Sequence, residues 1–221
     1  MNYDWDVLKK CPLFSDIDEK DIVSLLTYLH AKERKFQKDE LLFAAGDHPE
    51  CVGIVISGSV YIVQEDYWGN RTILSCVRTG EIFGEAFSCA QVSAFPVSVL
   101  AHENGTVMLI NCNRIFNTDS FSNVFHARLI LNLIKVLAEK NIALTSKMKH
   151  ITKKTIQNKV LSYLSECAIL SGKDVFEIPF NRQEMADYLS VDRSALSGTL
   201  CKMREEGIIE FRKNKFKIKK L

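Results

Sequence analysis

Asn181-Arg-Gln-Glu-Met-Ala-Asp-Tyr-Leu-Ser-Val-Asp-Arg-Ser-Ala-Leu-Ser-Gly-Thr-Leu-Cys-Lys-Met203 is the stretch that decides the fold, because it encodes two short, capped helices joined by a tight turn. Asn181 is placed to cap the first helix while Glu184 reaches back from the third helical position, which is the pattern of a capping box. The first helix should end at Ser190-Val191, and Asp192 should cap the second. The stretch therefore predicts a helix-turn-helix.

Successive residues of an α-helix are rotated by about 100°, and this periodicity gives the second predicted helix two different faces. The face expected to be buried carries Ala195, Leu196, Thr199, Leu200 and Met203. The opposite face carries Arg193, Ser194, Ser197, Gly198 and Cys201. A narrow polar face with Arg near the helix N-terminus suits a reader of the DNA major groove, because Arg binds guanine or phosphate and Ser both donates and accepts.

Gly198 and the segment after the helix support this interpretation. Glycine costs about 1 kcal/mol of helix propensity, yet it removes bulk where a backbone approaches DNA. Further on, residues 208–211 and 216–220 flank the basic stretch Arg212-Lys213-Asn214-Lys215. This pattern predicts a β-hairpin wing with a basic tip, suited to phosphate contact. An ordinary helical hairpin is the alternative, but it explains neither the basic wing nor the long helix upstream.

The chain between residues 40 and 110 alternates short β-rich runs with turn residues. The predicted strands are 41–43, 52–56, 60–63, 72–77, 97–100 and 106–110. Many short strands at near-regular spacing predict an antiparallel roll or barrel. Two short helices, 4–10 and 18–30, are predicted before it, with Asp18 as the cap of the second.

A helix of about 30 residues is predicted after the strands, and it carries a heptad repeat. The repeat positions, separated alternately by 4 and 3 residues, are Ile130, Ile134, Leu137, Asn141, Leu144, Met148 and Ile151. A seam sustained for three repeats predicts a coiled-coil homodimer in which Asn141 pairs with its twin and fixes the register. The alternative is an ordinary amphipathic helix lying on the roll. A second apolar stripe, formed by Leu129, Leu133 and Val136, offers that contact at the same time.

A further helix at about 155–170, ending at Gly172, and a strand at 175–180 are predicted before the helix pair. The predicted fold class is therefore α+β, with three segments. Residues 1–121 form a β-roll sensor domain, residues 122–151 form a dimerisation helix, and residues 152–221 form a winged helix-turn-helix.

Composition and charge fit this organisation. With 47% hydrophobic and 25% charged residues, the chain of 221 residues resembles globular proteins. Residues 152–221 carry 14 Lys and Arg against 9 Asp and Glu, whereas the upstream part carries 15 against 18. The basic C-terminal third favours an anionic partner, although such a charge also occurs on ordinary solvated surfaces. Because neither a signal-peptide pattern nor a membrane-spanning apolar run is present, we expect a cytoplasmic protein.

No metal, haem or iron–sulfur cofactor is predicted. The seven cysteines are dispersed without a C-x-x-C pair, which argues against a disulfide framework or a zinc site. The five histidines are isolated, so each is expected to be a surface or hydrogen-bonded residue rather than a haem ligand. A cupin-like enzyme would need two or three His with a carboxylate, and common catalytic motifs are absent from the sequence, so no enzyme activity is expected. A pure dimerisation scaffold would explain the seam but not the capped helix pair and the wing.

The sequence resembles the CRP/FNR family of bacterial regulators over essentially the whole chain, in the family's order. The likeness is strongest at Asn181-Arg-Gln-Glu184, at Val191-Asp-Arg-Ser194 and at the spaced Leu200 and Met203. It is moderate at Gly58-Ser-Val60 and Gly80-Glu-Ile-Phe-Gly-Glu85. The resemblance implies an allosteric homodimer that binds a palindromic site on double-stranded DNA, with RNA polymerase as a further partner if the protein is an activator.

By this likeness, one set of side chains reads base edges: Arg193, Ser194, Ser197 and Gly198. A second set approaches the DNA backbone: Arg182 and Gln183. The basic side chains Lys202, Arg212, Lys213 and Lys215 are predicted to join them at the DNA. Two positions depart from the family pattern, since Gly198 stands where Arg is common and Ser194 where Glu is usual. A different operator sequence is therefore expected.

The sensor departs further from the family. In members that bind cyclic nucleotides, a Gly-Glu like Gly84-Glu85 holds the ribose, and an Arg-Ser or Arg-Thr about eleven residues on holds the phosphate. Phe95-Pro96 stands there in this chain, so a buried phosphate would lack its guanidinium partner. An effector other than cyclic AMP is therefore expected, in a pocket comprising Gly84, Glu85, Phe87, Phe95 and Pro96. Phe83, Phe87 and Phe95 suggest an apolar or aromatic ligand, and they fit a plain core equally well. The oxygen-responsive branch clusters cysteines near its N-terminus, where only Cys11 stands here.

Overall fold

The computed structural model describes residues 4–68, 71–116 and 124–219. The chain divides into two compact units, Met1–Ala138 and Glu139–Leu221. The first unit contains two antiparallel sheets with short helices, and the second contains four helical segments with a small sheet. The predicted α+β class, with a roll, a long helix and a helix-turn-helix, is confirmed.

Two short helices open the first unit, close to where the sequence predicts them. Helix α1 (Trp5–Lys10) begins after Asp4, whose carboxylate accepts a hydrogen bond from the Val7 N–H at 3.3 Å. Helix α2 (Glu19–Tyr28) begins after Asp18 as predicted, but within the described part of the chain the Asp18 carboxylate accepts no capping hydrogen bond. The predicted side-chain cap at Asp18 is therefore wrong, although the boundary is right.

Within the described residues of the first unit, eight strands build the roll. They are β1 (Lys32–Phe36), β2 (Leu41–Phe43), β3 (Cys51–Ser57), β4 (Ser59–Glu65), β5 (Arg71–Arg78), β6 (Ile82–Phe83), β7 (Ser98–Ala101) and β8 (Gly105–Asn111). One sheet has the order β1-β8-β3-β6 and the other has the order β2-β7-β4-β5, with every pairing antiparallel. All six predicted strands are present, and the sequence missed β1 and β6.

The turn between β3 and β4 requires a glycine. Gly58 has a φ of +76°, and a Cβ there would lie 2.5 Å from the carbonyl oxygen of Asn104. A left-handed conformation and a close backbone approach both exclude a larger residue. Two further short helices, α3 (Glu85–Cys89) and α4 (Cys112–Phe116), follow β6 and β8.

The long helix α5 (Val124–Ile151) carries both apolar stripes that the sequence suggests. Leu129, Leu133 and Val136 are buried in the main core of the first unit. The predicted helix starts at residue 122, and residues 122 and 123 lie outside the described residues. Because the boundary between the two units falls at residues 138 and 139, the helix contributes to both of them.

The predicted seam lies on another side of α5. Ile134, Leu144 and Met148 are more than half exposed, at 56%, 62% and 59%. Ile130 and Leu137 are partly buried against the core of the first unit, and Asn141 is exposed. The seam therefore remains accessible along most of its length.

The second unit begins with the last turns of α5 and continues with α6 (Ile156–Ser171), which is capped by Thr155 and ends at Gly172 with a φ of +62°. The elements that follow are β9 (Val175–Glu177), α7 (Arg182–Leu189), α8 (Arg193–Glu205), β10 (Ile209–Arg212) and β11 (Lys215–Ile218). The three strands form an antiparallel sheet in the order β10-β11-β9, and β9 is shorter than the predicted strand. Val160, Leu164, Met185, Leu200 and Phe216 are among the side chains that form its core.

Candidate nucleic-acid interface

The two helices at the centre of the second unit are capped as predicted. The Asn181 Oδ1 atom accepts hydrogen bonds from the N–H groups of Gln183 and Glu184 at 2.9 and 3.0 Å. The Asn181 N–H donates to the Glu184 carboxylate at 2.8 Å, which completes the capping box. Ser190 ends α7 with a φ of +52°, and the Asp192 carboxylate accepts from the Ala195 N–H at 2.9 Å to start α8. Local sequence thus sets both boundaries of the turn.

Helix α8 buries a narrower face than predicted. Leu196, Leu200 and Met203 are buried in the core of the unit. Ala195 is exposed, so its assignment to the buried face is wrong. Thr199 is half-buried, and its hydroxyl donates to the Ala195 carbonyl at 2.8 Å. Ala195 lies close to the edge of the apolar arc, where a methyl side chain is too short to reach the core.

The opposite face of α8 is open. Arg193, Ser194, Gly198 and Cys201 are exposed, and Ser197 is half-buried. The Ser194 hydroxyl donates to the Asp192 carboxylate at 2.5 Å, and this bond is the main cause of the lowered pKa of Asp192. Ser194 therefore contributes to the N-terminal cap in addition to its predicted position at the DNA.

Gly198 has no packing role in the described part of the chain. A Cβ at this position would meet no side chain or neighbouring backbone within 4 Å. An exposed glycine inside a helix lowers stability by about 1 kcal/mol relative to alanine, and nothing in the packing of the unit compensates for it. Packing within the described part of the chain therefore does not require a glycine at this position.

The wing follows α8 as predicted. Strands β10 and β11 pair in register from Ile209 with Ile218 to Arg212 with Lys215. Lys213 takes a φ of +56° in the connecting turn, and the Arg212, Lys213 and Lys215 side chains are exposed. The Asn214 amide donates to the Glu177 carboxylate at 2.6 Å, which attaches the tip of the wing to β9. The tip of this hairpin therefore exposes three cations, and Lys217 on β11 is a further exposed cation of the hairpin.

Arg182 joins the start of α7 to this wing. One guanidinium nitrogen donates to the Lys213 carbonyl at 2.9 Å, and the group lies 4.9 Å from the Phe211 ring centre and 5.1 Å from that of Phe216. Burial lowers the pKa of the guanidinium. Neighbouring Gln183 is exposed and donates to the Asp187 carboxylate at 2.8 Å. Arg182 therefore has a structural contact that the sequence did not reveal.

Lys202, which is also predicted to lie at the DNA, is exposed. Its ammonium group pairs with the Glu206 carboxylate at 3.8 Å.

Two further cations support the same surface and were missed by the sequence reasoning. The Arg204 guanidinium lies 5.2 Å from the Phe211 ring centre, on the wing. The Lys159 ammonium donates to the carbonyls of Leu189 and Ser190 at 3.2 and 3.3 Å, at the C-terminal end of α7. A cation at this end of a helix stabilises it. The Lys159 contacts join residues 30 and 31 positions apart in the chain, so no local sequence pattern predicts them.

The predicted effector residues gather at the start of α3 in the first unit. Gly84 precedes the helix with a φ of +80°, and Glu85 is buried at its first position. Phe95 is buried and Pro96 is exposed, and a Cβ on Gly84 would lie 3.8 Å from the Phe95 ring. Phe95 therefore lies against the turn that, in the resembling family, faces the ribose.

Four phenylalanines form an aromatic cluster at this position. The ring centres of Phe43 and Phe83 are 6.2 Å apart, those of Phe43 and Phe95 are 5.8 Å apart, and those of Phe87 and Phe95 are 5.8 Å apart. Phe83 belongs to a buried core cluster, and Phe43 packs against it. Neither Phe95 nor Pro96 supplies a cation, so these two residues do not fit the phosphate of a cyclic nucleotide.

Two histidines are buried and hydrogen-bonded. His126 lies 2.9 Å from the Ile115 carbonyl oxygen, and His150 lies 2.8 Å from the Ser162 hydroxyl. His30 and His48 are exposed, and His102 is half-buried against Tyr61. Among residues 4–68, 71–116 and 124–219, no group of three or more His, Cys, Asp and Glu side chains is placed to hold a metal ion.

Known proteins share both halves of this arrangement. Residues 33–117 match the family model of the cyclic nucleotide-binding domain, and residues 158–221 match that of the Crp-like helix-turn-helix domain. The chain is 22% identical over 201 residues to the probable transcriptional regulator flp of Lacticaseibacillus casei, across 90% of this chain and 87% of that protein. It is 22% identical over 203 residues to the cyclic AMP receptor protein of Thermus thermophilus, across 91% of this chain and 89% of that protein.

A solved structure supports the fold over the same span. The c-di-GMP responsive global regulator CLP of Xanthomonas campestris superposes with a TM-score of 0.61 at 20% sequence identity. The match covers 92% of this chain and 100% of that one. At this identity the likeness concerns the fold.

The fold, the open face of α8 and the two domain matches define a helix-turn-helix, DNA-binding transcription regulator with an N-terminal domain of the cyclic-nucleotide-binding type. The chain is a CRP/FNR-like transcription regulator. The prediction that it is not an enzyme is confirmed by these matches, which are to a Crp-like helix-turn-helix domain and to a probable transcriptional regulator. Within the described ranges, no helix is long and apolar enough to cross a membrane.

Proposed function

We propose that this regulator acts as a homodimer that reads a palindromic DNA site and is controlled by an effector other than cyclic AMP. The observation that carries the proposal is the open face of α8 beside the cationic wing. The residues assigned to base edges are Arg193, Ser194, Ser197 and Gly198. Arg182 and Gln183 are assigned to the DNA backbone and the wing cations to phosphates, and Lys202 completes the predicted contact surface.

The dimer is proposed from the exposed seam of α5. Ile134, Leu144 and Met148 present apolar side chains that are each more than half exposed, at heptad positions. The roll does not need this stripe, because Leu129, Leu133 and Val136 already fill its core. A heptad seam is complementary to a second copy of itself, and the exposed Asn141 would meet its twin there. We therefore assign residues 122–151 to dimerisation, between a sensor of residues 1–121 and a DNA-binding part of residues 152–221.

A symmetric dimer predicts a symmetric operator. Two α8 helices related by a two-fold axis would enter major grooves about 34 Å apart, one turn of DNA. Footprinting on the DNA upstream of the protein's own gene tests this. Two protected half-sites in inverted orientation are expected, and a single asymmetric footprint contradicts the dimer model.

The effector is proposed to act at the start of α3. Binding there would favour one of two states of the dimer and thereby change the separation of the two α8 helices. Cyclic AMP is not expected to be this effector, because Phe95 and Pro96 replace the phosphate-binding pair. Titration of the purified protein with cyclic AMP by calorimetry tests this point. Absence of heat and of any change in DNA affinity is expected, and saturable binding that raises DNA affinity contradicts it.

Regulation of transcription in this way places the protein in the cytoplasm, where the DNA is, and gives it RNA polymerase as a partner if it activates transcription. A transcription assay on the footprinted promoter distinguishes activation from repression. We expect the outcome to depend on where the footprint lies relative to the polymerase site.

A further inference from the structure

Two cysteines of the first unit bring their sulfur atoms close together. Cys89 is the last residue of α3 and Cys112 is the first residue of α4, and their Sγ atoms are 3.7 Å apart. All seven cysteines of the chain, each within the described ranges, are free thiols. A disulfide has an S–S distance of about 2.05 Å, so these sulfurs would need to approach by about 1.7 Å from the observed 3.7 Å.

The two thiols differ in accessibility and in acidity. Cys112 is buried, with 1% of its surface exposed, whereas Cys89 is partly exposed. The hydrogen bond between the sulfurs lowers the pKa of Cys89 and raises that of Cys112. A thiolate is the nucleophilic form of cysteine, so Cys89 is the attacking group and Cys112 the buried thiol behind it.

Other cysteines lack this combination. Burial raises the pKa of Cys11 to about 11, and it also raises those of Cys51, Cys76 and Cys167. Cys201 is exposed on α8, in the second unit. Only the Cys89 pair therefore unites, among the described cysteines, a close sulfur neighbour with a lowered pKa.

We propose that Cys89 and Cys112 form a dithiol site that reduces a hydroperoxide and closes to a disulfide. In the first step the Cys89 thiolate attacks the terminal peroxide oxygen. An S–O bond forms, the O–O bond breaks, and the leaving oxygen takes a proton from solvent to depart as water or an alcohol. In the second step Cys112 Sγ attacks the Cys89 sulfenic acid. The S–S bond forms, and the hydroxyl group leaves with the thiol proton as water.

The position of the pair links this chemistry to the sensor. Helix α3 begins at the predicted effector residues Gly84 and Glu85, and it would be drawn toward α4 by the new bond. Helix α4 in turn contacts α5, because the Ile115 carbonyl oxygen lies 2.9 Å from His126 Nε2. Oxidation is therefore expected to change DNA binding. This consequence rests on the proposed function, whereas the formation of the disulfide does not depend on it.

The test uses the reduced, full-length protein and hydrogen peroxide. Proteolysis without reductant, followed by mass spectrometry, is expected to show a peptide pair linked through Cys89 and Cys112, with loss of two thiols per chain. In the Cys112→Ser variant, oxidation should stop at a sulfenic acid on Cys89, which dimedone traps. In the Cys89→Ser variant, the thiol of Cys112 should be oxidised at least tenfold more slowly than the thiols of the wild-type pair. Cys201→Ser is the matched control and should form the wild-type link. Peroxide that leaves both thiols intact, or that links other cysteines, overturns the proposal.

A DNA-binding measurement on the same samples separates the two proposals. Oxidised and reduced wild type are expected to differ at least fivefold in affinity for the promoter fragment. Equal affinities would overturn the link between the disulfide and DNA binding. Failure of both forms to bind DNA would contradict the proposed function, and the peptide link, which is detected without DNA, would still decide the chemistry. The wild-type peptide map requires no variant, so it remains decisive if a substituted protein fails to fold.

Discussion

The imidazole of His150 lies 2.8 Å from the hydroxyl of Ser162, and this contact joins the last turn of α5 to α6 within the second unit. The other ring nitrogen lies 3.4 Å from the Ser146 hydroxyl and 3.6 Å from the Glu166 carboxylate. The Ser146 hydroxyl also donates to the Glu166 carboxylate, so the side chains of His150, Ser146 and Glu166 each contact the other two. His150 is fully buried, with the Tyr163 ring beside it.

This network predicts a pH-dependent stability of the second unit. Burial lowers the pKa of His150 below the 6.5 of free imidazole, with Lys149 and Lys153 acting in the same direction and Glu166 opposing them. The unfolded chain therefore binds more protons below pH 6.5, so the free energy of unfolding falls as the pH drops through the lowered pKa.

The measurement is denaturant unfolding at a series of pH values from about 7.5 to about 5. His150→Gln should reduce the slope of unfolding free energy against pH in this interval. His48→Gln, at an exposed position, is the control and should retain the wild-type slope. Identical slopes for wild type and His150→Gln would contradict the assignment.

Replacing Gly198 by Ala should separate stability from function. The substitution adds a methyl group where the described chain leaves open space, so the free energy of unfolding should rise by about 0.5–1 kcal/mol. DNA affinity should fall, because the methyl lies on the face assigned to the DNA. Thermal unfolding and fluorescence anisotropy measure the two effects. Unchanged or tighter DNA binding by the variant would remove Gly198 from the interface.

Arg193 and Lys215 are expected to have different effects on DNA recognition. Arg193→Ala should weaken binding to the promoter site by about 1–3 kcal/mol and reduce the preference over scrambled DNA. Lys215→Ala should weaken binding to both DNAs about equally and make binding less sensitive to salt, because the lost contact is to phosphate. Competition binding with the two DNAs distinguishes them. If both variants lose affinity without regard to sequence, α8 is not the reading helix in the way proposed.

The dimer seam can be tested with two neighbouring apolar residues of α5. Leu144 is 62% exposed on the seam, and Ile142 is 69% exposed outside it. Leu144→Glu should place like charges opposite each other and dissociate the dimer, whereas Ile142→Glu should leave it intact. Analytical ultracentrifugation measures the mass of each. Equal dissociation constants for the two variants would show that the heptad register is wrong.

The sequence predicted the structure best where interactions between residues close in the chain determine it. The capping box of α7 joins Asn181 to Glu184, only three residues away, and the wing turn lies between two paired strands, so both follow from short patterns. Strand β1, with the sequence Lys-Glu-Arg-Lys-Phe, shows no apolar alternation, and it is a strand because it pairs with β8, where Lys32 faces Leu109. The charged sequence of β1 contains no local signal of its pairing with β8, which lies far along the chain.

The candidate site was also predicted best where residues close in the sequence determine the structure. The open face of α8 was predictable from helical periodicity, since only the position of Ala195 was misjudged. The contact between Arg182 and the Lys213 carbonyl and the meeting of Cys89 with Cys112 depend on tertiary packing. Neither residue pair has a sequence spacing that signals proximity, so both required the folded chain.

The central claim is that α8 and the wing bind a specific DNA sequence, and the most direct test is the salt dependence of wild-type affinity for two DNAs. One is a fragment from upstream of the protein's own gene, and the other is the same fragment scrambled. The account predicts affinity that falls with salt for both DNAs and a preference for the promoter fragment of about 10³-fold or more. Equal affinity for the two fragments at every salt concentration would contradict sequence-specific recognition by this surface.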